Sequence, residues 1–404
     1  MIWSAQQEEA LDKVGRWMKS GSRWMTPRDK PYFTLAGYAG TGKTTLAKHL
    51  ASTAGDSVLF AAYTGKAAHV LRKTGIANVS TIHHLIYLPR TKCDLHLRLL
   101  RSQRAGLQQQ IPVPADELAR VEKDIKAELS NLSSPNFTLN TASPLMSADL
   151  IVIDEYSMID RQMGEDLMRF GCPILALGDP GQLPPVNGDC FFDGQPDVML
   201  TEIHRQAADN PIIRMSKDVR EGKRLAPGSY GSSRVIRQRD ITDAQLGPLM
   251  LSADQLLVGT HATRKEFNQY FRAMLGFKGV LPVKGDRLVC RRNNHEEGLF
   301  NGQCWTVQGC IDMGRLKLSL IDDDGREIKC LAHRNHFLGT SDSLDFRDRM
   351  KANEFDYGYA LTVHKSQGSQ WDSVILLDEW HAADHAKWLY TAITRAAESV
   401  TVIQ

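Results

Sequence analysis

Residues 37–44 read Gly-Tyr-Ala-Gly-Thr-Gly-Lys-Thr, the pattern G-x-x-x-x-G-K-T, between an apolar run at 32–36 and a helix-forming run from residue 45. Glycines let such a loop curl until successive backbone N–H groups face one point, and the positive end of the following helix adds to the attraction for an anion. Lys43 can then reach the β- and γ-phosphates of a nucleotide, while the Thr44 hydroxyl can hold Mg²⁺. The stretch therefore predicts a strand, a phosphate-binding loop and a helix that together bind a nucleoside triphosphate such as ATP.

The composition is that of an ordinary globular protein, with 42% hydrophobic and 24% charged residues. A chain of 404 residues is long for a single core and suggests two or more domains. The net charge of +2 neither demands nor excludes a nucleic-acid partner. Seven cysteines without a C-x-x-C pair, no secretory signal and no apolar run near the roughly 18 residues of a membrane span predict a cytoplasmic protein with reduced thiols.

Strands and helices alternate from 31 to 87 and again after 144, which predicts a parallel sheet with ligands at the carboxyl ends of its strands. Between these stretches, residues 88–144 contain leucines at helical spacing and a short strand at 137–139. We interpret this segment as an inserted helical subdomain; a surface pair of helices without a role is the alternative. A second sheet is predicted from apolar runs at 255–259, 374–377 and 400–403, interrupted by a β-rich segment with a hairpin at Asp322–Gly325.

Carboxylates follow the buried strands of the first half. Asp154 and Glu155 come directly after the apolar run at 150–153. Beside a phosphate loop, the first carboxylate can bind Mg²⁺, and the second can orient or deprotonate the attacking water. Helix capping is the alternative for an isolated acidic pair.

Three further polar residues are candidates for contact with the γ-phosphate. Gln182 lies in a Pro/Gly-rich loop at 178–185, which is either a sensor of the phosphate or only a rigid turn. Arg205 and Arg395 stand apart from the first sheet, and an arginine supplied across a cleft stabilises charge on the transferred phosphate. Either arginine alone is more often part of a surface ion pair.

A series of motifs in fixed order extends over nearly the whole chain and resembles the superfamily 1B DNA helicases, in particular their RecD-like and Dda-like branch. The motifs are Q-x-x-A at 7–10, the phosphate loop, YTGKAA at 63–68, STIHHL at 80–85, DEYSM at 154–158, GDPGQLPP at 178–185, IHRQ at 203–206, TVHKSQG at 362–368 and YTAITRA at 390–396. The resemblance implies an α/β fold of two RecA-like domains with ATP between them, an SH3-like barrel inserted in the second domain, and 5′ to 3′ movement along single-stranded DNA.

The same resemblance implies roles for individual residues. Catalysis would fall to Lys43, Asp154, Glu155, Gln182, Arg205 and Arg395, with Thr44 and Asp154 as the metal ligands. Nucleotide contacts would come from Gln7 at the adenine and from Gly37, Ala39, Gly40, Thr41, Gly42, Lys43, Thr44, Thr45 and Gly368. Strand contacts would come from Thr64, His83, Thr362, His364 and Ser366.

The resemblance also divides the chain. It predicts a first RecA-like domain at 1–87 and 145–200, the helical insertion at 88–144, a second RecA-like domain at 201–285 and 353–404, and the barrel at 286–352. Relatives often carry a compact β-hairpin where this insertion is mainly helical, so the residue that separates the duplex is open, with Phe137 as the candidate. A basic run at Arg264, Lys265, Arg287, Arg291 and Arg292 is either a strand-binding surface or a solvated face.

Three functions are consistent with these patterns: a 5′ to 3′ DNA helicase, a single-strand translocase that opens duplex poorly, and a nucleotide-switched DNA-binding module with negligible turnover. The complete set of Lys43, Asp154, Glu155 and Arg395 argues against the third. We expect a monomer that binds single-stranded DNA and single-strand/duplex junctions and has no membrane association.

Overall fold

The computed structural model describes residues 3–20, 30–53, 57–89, 95–110, 112, 114–133, 137–186, 188–202, 210–294, 296–340, 344 and 346–404. The helices in this part of the chain are α1 (Ala5–Lys19), α2 (Lys43–Thr53), α3 (Gly65–Lys73), α4 (Ile82–Ile86), α5 (Leu95–Gln108), α6 (Ala115–Ser133), α7 (Arg161–Met168), α8 (Pro211–Arg220), α9 (Asp243–Leu251), α10 (His261–Met274), α11 (Asn335–Leu338), α12 (Phe346–Arg349), α13 (Val363–Ser366) and α14 (His385–Ile393).

The strands are β1 (Tyr32–Gly37), β2 (Val58–Ala62), β3 (Val79–Thr81), β4 (Tyr87–Pro89), β5 (Phe137–Leu139), β6 (Leu150–Asp154), β7 (Ile174–Gly178), β8 (Val198–Leu200), β9 (Gly228–Tyr230), β10 (Ser233–Ile236), β11 (Gln255–Val258), β12 (Arg287–Cys290), β13 (Cys304–Asp312), β14 (Leu316–Asp322), β15 (Glu327–Ala332), β16 (Phe355–Tyr357), β17 (Ala360–Thr362), β18 (Trp371–Leu377) and β19 (Ala396–Ile403).

The first sheet has six strands in the order β3-β2-β6-β7-β1-β8, and every pair is parallel. Its central strands are buried on both faces, as expected when helices cover a parallel sheet. Two apolar clusters lie against it, one around Leu35 and Leu46 and the other around Ile151 and Ile174. The predicted parallel sheet is confirmed, with the phosphate loop after β1 and the carboxylate pair at the end of β6.

Between β4 and β5 the chain forms two packed helices, α5 and α6. They bury a small core of their own, made of Leu97, Leu100, Leu107, Val121 and Ile125. The two short strands pair antiparallel below the helices. The segment is therefore mainly helical, as the leucine spacing predicts, although Leu95 and Leu99 are exposed rather than packed.

The second sheet has six strands in the order β17-β11-β18-β19-β10-β9. Only the edge strand β9 runs antiparallel to its neighbour. The sheet begins earlier in the chain than the sequence predicted, because β9 and β10 at 228–236 join it in addition to the runs at 255–259, 374–377 and 400–403. These added strands have only 3 and 4 residues, too short to show a period.

The β-rich segment forms a five-stranded antiparallel sheet in the order β15-β14-β13-β12-β16. The hairpin between β14 and β15 turns at the predicted Asp322–Gly325. One apolar cluster contains Leu288, Trp305 and Phe355 of this sheet together with Leu256 and Phe271 of the second parallel sheet and its helix. The segment and the second sheet thus share a core, and strand β16 lies beyond the predicted boundary at residue 352. The SH3-like barrel itself stays a prediction.

Candidate functional site

The phosphate loop leaves β1 and enters α2 with Gly40 and Gly42 both at φ 79°, a left-handed conformation that favours glycine. The Lys43 ammonium donates to the carbonyl oxygens of Gly37 at 2.6 Å and Tyr38 at 3.0 Å. The Lys43 ammonium group is therefore held by the backbone of the same loop that is predicted to bind the phosphates. The predicted contacts from Gly37 to Thr45 all belong to this one turn of chain and the start of α2.

Asp154 ends β6 opposite the start of α2. The Thr44 hydroxyl lies 3.5 Å from Oδ2 of Asp154, and Oδ1 accepts a hydrogen bond from the backbone N–H of Glu155 at 2.9 Å. Burial and the neighbouring Glu155 raise the pKa of Asp154 to about 6, against the lowering effect of Lys43. A hydroxyl and a desolvated carboxylate at this separation fit Mg²⁺, which takes one or two protein oxygens beside substrate phosphates.

The loop after β7 is folded around Asp179, which is 1% exposed. Its Oδ1 accepts from the backbone N–H of Gly181 at 2.9 Å, and burial raises its pKa. Gln182 is also buried, and within the described chain its Oε1 has no hydrogen-bond partner. A buried amide oxygen without a partner is costly, so the side chain fits a group that the protein itself does not supply. This observation favours the sensor interpretation of the loop, which stays a prediction.

The next residue, Leu183, docks the loop onto the second half of the chain. Its side chain is fully buried in the apolar cluster of the second sheet. Its N–H donates to Thr391 Oγ1 at 2.9 Å, and its carbonyl accepts from Gln367 Nε2 at 3.1 Å. The loop at 178–185 is thus held by residues of two motifs in the second half of the chain.

Two more contacts reach the phosphate loop itself. The Tyr390 hydroxyl on α14 accepts from the N–H of Ala39 at 3.1 Å, and the guanidinium of Arg220 at the end of α8 lies 3.3 Å from the Tyr38 ring centroid. Sequence reasoning assigned no role to Tyr390, Thr391, Gln367 or Arg220. The first three stand inside quoted motifs, which is the signal that could have found them; Arg220 carries none.

The remaining nucleotide candidates occupy different settings. Arg205 lies outside the described residues. Arg395 is buried, and its guanidinium donates to the carbonyl oxygens of Thr391 at 3.1 Å and Ser369 at 3.3 Å, so it is bound within its own half of the chain. Gln7 is buried, donates to the carbonyl of Thr41 at 3.2 Å and thereby ties α1 to the phosphate loop.

Gly368 is placed away from that loop. It has φ 72°, and a Cβ added there would lie 2.7 Å from Thr64 Oγ1 and 3.0 Å from the Ala67 Cβ. Its close neighbours are thus at the start of α3, so the geometry gives no support to the predicted nucleotide contact. The same geometry brings the motif at 362–368 against Thr64, which caps α3.

Two candidate strand contacts of the first half, His83 and Phe137, form one aromatic group with Tyr87. The His83 ring lies 5.8 Å from that of Tyr87 and 6.5 Å from that of Phe137, while Tyr87 and Phe137 stack at 5.6 Å. Phe137 is 43% exposed, whereas burial lowers the pKa of His83. The group offers an exposed ring at the base of the helical insertion.

In the second half, Thr362 and Ser366 are buried, and the Ser366 hydroxyl donates to the carbonyl of Val363 at 2.7 Å. His364 is half-buried beside Trp380, and burial lowers its pKa. The burial of the two hydroxyls counts against direct strand contact in this conformation.

The basic run is largely paired with carboxylates. Arg264 and Arg291 reach Asp356 at 2.9 and 3.8 Å, Arg287 reaches Asp323 at 3.5 Å, and Arg292 reaches Glu354 at 3.4 Å. Paired guanidinium groups attract phosphate less strongly than free ones, so this run is a weaker strand-binding surface than its charge suggests.

No helix in the described residues is long and apolar enough to cross a membrane. The six cysteines in the same part of the chain are free thiols. Within it, no three His, Cys, Asp or Glu residues gather as a metal site.

A family model described as an AAA domain matches residues 23–240, and one described as a UvrD-like helicase C-terminal domain matches residues 357–403. The chain is 27% identical over 409 residues to the ATP-dependent RecD2 DNA helicase of Deinococcus radiodurans, covering 90% of this chain and 46% of that protein. It is 29% identical over 210 residues to the ATP-dependent DNA helicase dda of Enterobacteria phage T4, covering 48% of this chain and 39% of that protein. The chain thus spans less than half the length of these curated relatives.

Two solved structures share the fold. The Pif1 helicase of Candida albicans matches with a TM-score of 0.53 at 18% identity, covering 100% of this chain and 94% of that one. A Bacteroides Pif1 bound to single-stranded DNA matches with a TM-score of 0.53 at 17% identity, covering 99% and 92%. At this identity the likeness concerns the fold alone.

Proposed function

Since the chain belongs to the AAA domain family, whose model matches more than half of it, we propose that it is an ATP-dependent DNA helicase of superfamily 1B. It would move 5′ to 3′ along single-stranded DNA and use ATP hydrolysis to open duplex. The observation that carries this proposal is the contact between the phosphate loop of one sheet and α14 of the other, because a motor needs nucleotide bound where two parts of the chain meet.

ATP would lie on the amides that follow Gly37, with Lys43 leaving its backbone carbonyls to bind the β- and γ-phosphates. Mg²⁺ held by Thr44 and Asp154 would neutralise phosphate charge in the transition state. Glu155 would accept the proton of the attacking water, since it follows Asp154 directly and its backbone is fixed by that residue's carboxylate.

Contacts to the γ-phosphate would come from Gln182, Arg205 and Arg395. Gln182 would donate to the γ-phosphate through its amide N–H, and its unpartnered Oε1 would accept a hydrogen bond from the attacking water. Arg395 would have to leave its carbonyl partners as the halves close on ATP, which would couple hydrolysis to movement. Gln7 would reach the adenine from its place beside Thr41.

The DNA partner would be single-stranded DNA and single-strand/duplex junctions. Its path would pass the start of α3 at Thr64, the aromatic group with His83 and Phe137, and the motif that holds Thr362, His364 and Ser366. Base stacking on an exposed ring contributes roughly 1–3 kcal/mol, which favours Phe137 as the residue met by the junction. The relatives named RecD2 and dda are DNA helicases, in keeping with this substrate.

We further propose that the domains follow the predicted division at 1–87 with 145–200, 88–144, 201–285 with 353–404, and 286–352, except that β16 at 355–357 belongs with the β-rich segment. The shared core around Leu288 and Phe271 favours treating the last two as one folding unit. A monomer in the cytoplasm is the simplest arrangement for such a motor.

DNA-stimulated ATP hydrolysis tests the proposal at its base. We expect single-stranded DNA to raise the hydrolysis rate, and Lys43→Ala to abolish hydrolysis while single-strand binding persists, because charge terms of this kind contribute several kcal/mol. Lys48→Ala, on the exposed side of α2, is the matched control and keeps the wild-type rate. A Lys43→Ala rate within about tenfold of wild type would contradict the site assignment.

A further inference from the structure

Tyr390 lies at the junction of three segments. It is 1% exposed on α14, and its hydroxyl accepts from the N–H of Ala39 at 3.1 Å while donating to Oδ2 of Asp179 at 2.6 Å. One phenol thus joins the phosphate loop, the loop after β7 and the second half of the chain. Only a side chain that both accepts and donates can make this bridge.

The bridge stands within the charged part of the nucleotide site. Lys43 is close enough to lower the pKa of Asp179, and Glu155 close enough to raise it, although burial has the largest effect. Burial and the charge of Asp179 raise the pKa of Tyr390, so the phenol keeps the proton it donates. The Tyr390 oxygen therefore occupies the neighbourhood in which the terminal phosphates of ATP are expected.

Movement of Tyr390 would be transmitted through its helix. Thr391, next in sequence, accepts a hydrogen bond from the N–H of Leu183 in the loop at 178–185. Arg395, two residues after the end of α14, donates to the carbonyl of Thr391. The motif at 362–368 is joined to the same assembly through Gln367, which donates to Leu183. A shift at the phenol thus reaches both the proposed arginine and the proposed strand-contacting motif.

We propose that Tyr390 is a positioning residue that couples nucleotide occupancy to the affinity for single-stranded DNA. Without nucleotide, its hydroxyl holds the Ala39 amide and α14 together. Phosphate oxygens compete for that amide, so ATP releases one partner of the phenol and allows α14 to move. The inference rests on the proposed function, since it concerns the same nucleotide site and the same strand.

The test measures binding of a fluorescent single-stranded oligonucleotide by anisotropy, with and without a non-hydrolysable ATP analogue and Mg²⁺. For wild type we expect the analogue to change DNA affinity by a factor on the order of 5 to 100. We call this factor, the DNA affinity with the analogue relative to that without it, the ratio. For Tyr390→Phe we expect the ratio to fall below about twofold, while the affinity for the analogue itself stays within about fivefold of wild type, the scale of one hydrogen bond.

Two comparison variants separate coupling from general damage. Tyr230→Phe removes a hydroxyl that donates only to the Ala226 carbonyl, and it should keep the wild-type ratio. Thr391→Val removes the contact to Leu183 but leaves Tyr390 on the phosphate loop, and it should lower the ratio as well, because the shift at the phenol is passed on through Leu183. Combining Tyr390→Phe with Asp179→Asn should lower the ratio no further than Tyr390→Phe alone, as expected for residues that act together.

A Tyr390→Phe protein that keeps the full ratio would overturn the inference, and so would a wild-type protein whose DNA affinity ignores the analogue. Retention of the full ratio in Thr391→Val would also overturn it, because the shift at the phenol would then not pass through Leu183. Failure of wild type to unwind tailed duplex, with the ratio intact, would count against the helicase proposal and leave the coupling role standing.

Discussion

Glu155 adopts a left-handed backbone, with φ 59° and ψ 50°, between β6 and a short 3₁₀ turn. A non-glycine residue in this region costs on the order of 1–3 kcal/mol, and such strain is retained mainly at functional sites. The conformation is sustained by the Asp154 carboxylate, which accepts the N–H of Glu155. Glu155 makes no side-chain capping hydrogen bond to the turn, so this geometry gives no support to the capping alternative.

We expect Glu155→Gln to bind nucleotide nearly normally and to turn over slower by a factor on the order of 10² or more, because the amide keeps the shape but takes no proton. Single-turnover hydrolysis and equilibrium nucleotide binding, measured on the same protein, separate the two effects. Glu165→Gln, exposed on α7, is the control and should match wild type. If nucleotide affinity collapsed while the rate per bound ATP held, Glu155 would instead be a structural group.

Glu354 shows how a single carboxylate stabilises the β-rich segment. It lies 3.1 Å from Arg349 Nε, 3.4 Å from Arg292 Nη1 and 3.2 Å from His336 Nε2. Burial raises its pKa, but the hydrogen bond with His336 and the charges of Arg349, His336 and Arg292 outweigh that effect and lower it to about 2. Because the folded pKa is below the ordinary 4.5, the stabilisation is complete above that pH and is lost as pH falls towards 2.

A depression of this size corresponds to about 3 kcal/mol of stability at neutral pH. We expect Glu354→Gln to lose an amount of that order from the free energy of unfolding in urea at pH 7. The difference from wild type should shrink by roughly 1 kcal/mol at about pH 3.5, where the folded carboxylate no longer has its full advantage. Glu327→Gln, exposed on β15, is the control. A difference that does not change with pH would show that lost packing, not charge, accounts for the effect.

At the scale of elements, the β-rich segment rests against α3 of the first half. The Phe300 ring stacks on His69 at 5.7 Å and lies 5.7 Å from the guanidinium of Arg72, and Lys73 pairs with Asp324. Deleting the segment would expose the core it shares with the second sheet, so a point substitution at this contact is the cleaner test.

We expect Phe300→Leu to reduce unwinding of a tailed duplex more than it reduces ATP hydrolysis without DNA. The Phe300 ring holds the β-rich segment against α3, beside the proposed path of the DNA strand, and it is not part of the phosphate loop. Ring contacts of this kind contribute roughly 0.5–2 kcal/mol, so the variant should fold. Ile311→Leu, exposed at 59% on β13, is the matched control. Equal losses of hydrolysis and unwinding would show instead that the substitution damages the motor as a whole.

The sequence predicted the elements that carry a local signal. Buried strands that end in Gly37, Asp154 or Gly178 are continuous apolar runs, and the leucines of α5 and α6 recur at helical spacing. Short strands such as β10 and β17 have too few residues to show an alternation of apolar and polar side chains. They become strands by pairing with β19 and β11, which are distant in the sequence. The ends of the β-rich segment were misjudged because β16 pairs with β12, more than sixty residues earlier in the chain.

The two halves of the chain meet at segments that carry motifs, but the sequence does not show which residues of those motifs contact each other. The Tyr390 hydroxyl and Asp179 are 211 residues apart, and Leu183 and Thr391 are 208 apart. Spacing along the chain carries no information about such pairs, whereas the motif order indicated that their segments belong to one site. The phosphate loop, the loop at 178–185 and α14 are in direct contact, which is the arrangement that a two-part motor would require.

The most direct test of the central claim compares unwinding of a duplex with a 5′ single-stranded tail and the same duplex with a 3′ tail, with ATP and Mg²⁺. We expect wild type to separate the 5′-tailed substrate and to leave the 3′-tailed one largely intact, and we expect Lys43→Ala to separate neither. Movement without separation of either duplex would favour a translocase. Preference for the 3′ tail would contradict the superfamily 1B assignment of polarity.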